Sequence, residues 1–127
     1  MDIRYSSSGL PADPYSEAVI ANEFIFLSGI VSEDMETGEL LLGDIVYETN
    51  TVLENVKKLL QKYDSSMERI VKVEIYLRDY REIHQMNAAY VKHFPNGKLP
   101  ARVCVEVGDL CAQCRIEMVV TALKVSV

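Results

Sequence analysis

A chain of 127 residues suffices for one domain that buries roughly two-thirds of its unfolded surface, and 49% hydrophobic with 25% charged residues excludes a disordered polymer. Thirteen basic against nineteen acidic side chains leave a formal net charge of −6, which makes a phosphate backbone a poor partner. No run approaches the ~18 apolar residues of a membrane span, and the opening stretch from Met1 to Gly9 lacks a signal peptide's apolar core, so a cytoplasmic location is expected.

Val19-Ile20 and the stretch Phe24 to Val31, rich in β-branched and aromatic residues, predict a hairpin around the turn Ala21-Asn22-Glu23. After the polar loop Asp34 to Glu39, the residues Ile45, Thr49, Val52, Leu53, Val56, Leu59 and Leu60 recur at helical spacing, with Asp44 as N-cap. Val71, Val73, Ile75 and Leu77 then alternate with Lys72, Glu74 and Tyr76, the period of a strand with one buried face. A capping box of Asp79 and Glu82 opens a second helix lined by Ile83, Met86, Asn87, Tyr90, Val91 and Phe94, and Pro95-Asn96-Gly97 stops it. Two closing strands, 101–107 and 115–125, flank the turn segment 108–113.

The order β-β-α-β-α-β-β predicts a single α+β domain over residues 1–127, one sheet with two helices packed on one face. Its other face must be solvated or covered by a partner. Parity assigns Val103, Val105 and Val107 to the helix side and Arg102, Cys104 and Glu106 to the bare side, where Glu117 of the last strand joins them. Two opposite charges in apolar strands must pair, meet a charged ligand or reach water, because burying either alone costs several kcal/mol. Arginine also grips a carboxylate through two parallel hydrogen bonds, so Arg102 is a candidate acid anchor.

Other polar groups have plainer readings. Lys57, Lys58, Lys62, Arg78 and Arg81 alternate with acidic residues and read as solvated helix faces. Cys111 and Cys114 have CxxC spacing but precede a strand instead of opening a helix, and only Cys104, His84 and His93 could complete a metal site, at no recognisable spacing. A thiol beside an arginine could be a nucleophile, yet no histidine is placed to activate Cys104, which favours a pocket-wall role.

The segment Leu99-Pro100-Ala101-Arg102-Val103-Cys104-Val105-Glu106-Val107 with Arg115-Ile116-Glu117 resembles the signature end of the RidA/YjgF family of enamine/imine deaminases. Pro14-Tyr15, Phe26-Leu27-Ser28-Gly29, Leu53-Glu54-Asn55-Val56, Ile70-Val71-Lys72-Val73 and Met86-Asn87-Ala88-Ala89-Tyr90 fall in the family's order at similar spacing. The resemblance implies a chorismate-mutase-like fold with a mixed sheet, assembled as a homotrimer with sites at subunit interfaces. It implies catalytic roles for Arg102, on the substrate carboxylate, and Glu117, on the attacking water. Tyr15, Ser28, Gly29, Asn87 and Cys104 would shape the pocket. The usual Gly-Pro-Tyr is Asp13-Pro14-Tyr15 here and the common Ser-Gly-Gln is Ser28-Gly29-Ile30, which leaves the substrate open.

The implied reaction is hydrolysis of reactive 2-imino acids, such as those derived from 2-aminoacrylate, to 2-oxo acids and ammonia, with no metal or cofactor. The alternative is a non-catalytic trimeric binding protein that senses small carboxylates or regulates a protein partner. A nucleic-acid-binding regulator would require salt-dependent RNA affinity against the acidic average charge.

Overall fold

The computed structural model describes residues 2–10 and 12–125, and seven strands and two α-helices form among these residues. The strands are β1 (Ile3–Ser6), β2 (Ala18–Ala21), β3 (Phe24–Leu27), β4 (Ile30–Val31), β5 (Ile70–Leu77), β6 (Ala101–Glu106) and β7 (Ile116–Leu123). The helices are α1 (Ile45–Lys62) and α2 (Ile83–Val91). One mixed sheet runs β1-β2-β3-β7-β5-β6, with β4 pairing β7. All pairs are antiparallel except β5 with β6, and α2 supplies the crossover that a parallel pair needs.

Both helices cover one face. Ile25, Val73, Ile75, Leu77, Ile116, Met118 and Val120 project from the sheet with no more than traces of exposure, against Val52, Leu53, Val56 and Leu60 of α1 and Met86 and Tyr90 of α2. Asp44 caps α1 by accepting from the Tyr47 N–H at 2.8 Å, as the pattern predicts. A short 3-10 turn, Tyr80–Glu82, precedes α2. The predicted capping box does not close: Asp79 accepts from the Arg81 N–H, while the Glu82 carboxylate turns to the Arg115 guanidinium at 3.0 Å. The stretch predicted as one strand from Phe24 to Val31 breaks at Ser28-Gly29, where the Ser28 hydroxyl donates to the Ser16 carbonyl at 2.6 Å.

The strand parity at β6 is reversed from the expectation. In register, Arg102 lies beside Val73, Cys104 beside Ile75 and Glu106 beside Leu77, and those three partners belong to the helix-covered core. Arg102, Cys104 and Glu106 therefore face the helices, and Val103 and Val105 face the bare side, 45% and 40% exposed. The physical reason is that this sheet has two apolar faces. Phe24 and Phe26 share the bare face with the valines and are also exposed, so hydrophobicity alone could not tell which side the helices take. A second consequence follows from the strand order. Since β6 is an edge strand, Arg102 is exposed and needs no buried counter-charge.

Candidate functional site

Arg102 and Cys104 stand on the helix-facing side of β6, and Asn87 lies on α2, the helix whose Tyr90 meets Arg102. The Arg102 guanidinium carbon sits 5.0 Å from the centroid of the Tyr90 ring, and no carboxylate among the described residues lies within ion-pair distance of it. One helical turn before Tyr90, the Asn87 side-chain oxygen is buried with no hydrogen-bond partner, and the Tyr90 hydroxyl is orphaned in the same way. Burial lifts the Tyr90 hydroxyl pKa to about 12, with the Arg102 charge opposing. Cys104 packs against the core, and burial pushes its thiol up more than the Arg102 charge draws it down. A thiol held neutral in this way suits a wall, not a nucleophile.

Tyr15, Ser28, Gly29 and Glu117 gather elsewhere. Tyr15, Ser28 and Gly29 line a cleft of about 350 Å³ together with Asp13, Ile30 and Glu33. Glu117 projects from β7 on the bare face, in register with Tyr76 and Val31. Its carboxylate packs against Gly29, where any β-carbon would collide with it. Glu117 is half-buried, makes no hydrogen bond or ion pair to another described residue, and burial holds its carboxyl above the usual range. Asp13 accepts from the Ser8 hydroxyl at 2.6 Å, and Glu33 is raised first by burial and then by the Asp13 charge. Ile30 sends its side chain into the core.

Arg102 and Glu117 therefore lie on opposite faces of the sheet, against the expectation that one chain holds them side by side. The seven residues form two groups, one carrying a free guanidinium and an unpartnered amide oxygen, the other carrying an unpaired carboxylate beside a cleft. Tyr90 was read from the sequence only as part of a helix stripe. Its spacing of three from Asn87 was the available signal. Arg78 also departs from a solvated face. It donates to the carbonyls of Leu110, Ala112 and Cys114 at 3.2, 2.7 and 2.8 Å and pairs with Asp109, so it pins the Cys111–Cys114 turn. Cys111 is exposed and Cys114 buried, and no group of three or more potential metal ligands occurs among the described residues. No helix among them is long and apolar enough to cross a membrane.

Residues 6–124 match the family described as Endoribonuclease L-PSP. A RutC family protein of Pyrococcus abyssi is 42% identical over 114 residues, covering 90% of this chain and 89% of that protein. Among solved structures, a YjgF family member from Neisseria meningitidis superposes with a TM-score of 0.85 at 35% identity, covering 100% of this chain and 98% of that one. A Rid family protein of Yersinia pestis gives a TM-score of 0.86 at 29% identity, covering 96% and 99%.

Proposed function

The chain belongs to the RidA/YjgF family, also described as endoribonuclease L-PSP and RutC, and from that membership we propose that it hydrolyses reactive 2-imino acids to 2-oxo acids and ammonia. The observation that carries the reading is Glu117: a half-buried carboxylate with no partner of its own and an elevated pKa, the profile of a group that moves a proton.

The two groups of residues become one site when a second copy of the chain brings its Arg102 edge to the Glu117 side of the first. A homotrimer sealed through the bare apolar face accounts for the exposure of Phe24, Phe26, Val103 and Val105, and it places sites at the subunit boundaries. In such a site, Arg102 takes the substrate carboxylate by two parallel hydrogen bonds, and the orphaned Asn87 oxygen accepts an N–H of the protonated imine. Glu117 orients a water, removes its proton as the oxygen bonds to the imine carbon, and returns a proton to the nitrogen of the carbinolamine. Ammonia leaves as the C–N bond breaks and the carbonyl forms, the hydroxyl proton passing back to Glu117. Water is the sole co-reactant, and positioning supplies much of the acceleration of an already electrophilic imine. Cys104, Tyr15, Ser28 and Gly29 shape the pocket. A cytoplasmic setting suits chemistry on short-lived metabolic imines.

The test is ammonia release while 2-aminoacrylate is generated in situ, comparing the native chain with Arg102→Ala and Glu117→Gln. Both variants should fall by about a hundredfold or more. Native rates in both variants would remove the site. An inactive native chain that still binds 2-oxobutanoate would instead identify a carboxylate sensor. RNA cleavage independent of Arg102 and Glu117 would favour the activity in the family's description, against a net charge of −6.

A further inference from the structure

Arg102 stands on an exposed edge strand with a long, freely rotating side chain, yet an acid anchor works only if its guanidinium is already aimed. A neighbouring carboxylate would hold it, but at the cost of occupying the N–H donors that a substrate needs. An aromatic face attracts the guanidinium through its π-electrons and leaves the in-plane donor fork free. Tyr90 supplies such a face. Its ring centroid is 5.0 Å from the Arg102 guanidinium carbon, and the ring is itself immobilised, 3% exposed and 5.0 Å from the ring of Phe94. Its hydroxyl has no partner among the described residues, so the contact that defines Tyr90 is made by the ring.

We propose that Tyr90 is a positioning residue whose ring face holds the Arg102 guanidinium in the orientation that receives a substrate carboxylate. The inference rests on the reading of Arg102 as the acid anchor and deepens it. Tyr90 touches the anchor and not the reacting atoms, so its loss weakens acid binding and spares the chemical step.

The test measures the Kd of 2-oxobutanoate by calorimetry, and KM and kcat for 2-iminopropanoate made in situ, on the full chain. Tyr90→Leu and Tyr90→Met, the second guarding against a folding failure of the first, should raise Kd and KM about tenfold and leave kcat within about twofold. Tyr90→Phe should restore native binding. Met86→Ala, a core substitution on the same helix, should lower Tm without moving Kd. If Tyr90→Leu and Tyr90→Met keep the native Kd while Arg102→Ala loses binding, the positioning role is overturned and the anchor stands. If Tyr90→Phe binds as poorly as Tyr90→Leu, the hydroxyl and not the ring is at work, which also overturns it. If Arg102→Ala itself binds normally, the anchor reading falls and takes this role with it.

Discussion

Gly29 and Glu117 are in such close contact that a β-carbon at position 29 would stand 2.9 Å from the Glu117 carboxyl carbon. A glycine here is a requirement of the carboxylate's position and not of backbone conformation. Gly29→Ala should push the Glu117 side chain aside and lower the rate of the proposed deamination by about a hundredfold, as misplacement by an ångström does. Steady-state kinetics check this, with Tm showing that the fold survives.

Glu117 also carries a pH signature. Its carboxyl titrates above its unfolded value because burial disfavours the charge, so the folded chain holds the proton more tightly. The sign follows from linkage: stability from this group is fully present below the unfolded pKa and is lost as pH rises through the folded one. Glu117→Gln should flatten that decline and make the protein more stable at neutral pH while abolishing turnover. Denaturant melts at a series of pH values read it directly.

Because the two groups of residues lie on opposite faces, inactive variants should rescue each other. Mixing Arg102→Ala with Glu117→Ala chains, unfolding and refolding them together, should return about a quarter of native activity if the proposed trimer holds, since each mixed trimer would regain one of three sites. No recovery would mean that the groups do not meet across subunits.

Val103 faces outward beside Glu74 in register on β5. Val103→Glu sets like charges side by side on the bare face, so the proposed trimer should dissociate. Sedimentation should then give a folded monomer, with activity below about a hundredth of native if a lone chain carries only half of the proposed site.

Arg78 ties four groups of the turn before β7. Arg78→Ala should cost about 2 kcal/mol and quicken thiol labelling of buried Cys114. Urea titration and timed alkylation measure the two effects separately.

The helices and the central strands could be read from the chain because their periodicities have one solution. Every residue assigned to the inner stripe of α1, from Ile45 to Leu60, is buried, and Val73, Ile75 and Leu77 alternate as expected, but Val71, at the register shift between Ile70 and Lys72, and Val91 of α2 are exposed against the pattern. β6 resisted because Val103 and Val105 answer to a dry surface, and the sheet offers two. β1 was missed because Ile3-Arg4-Tyr5-Ser6 forms an edge strand with little burial to write a pattern. Arg78 misled because a guanidinium that binds carbonyls is spelled like one that meets solvent. The site residues were nameable through resemblance, but their division between two faces depended on strand register, which no local stretch encodes.

A single chain keeps its guanidinium and its carboxylate on opposite sides of the sheet, so on the proposed reading it lacks a complete catalytic pair. If copies must meet to complete the proposed site, dilution should extinguish turnover more steeply than in proportion to the amount of protein.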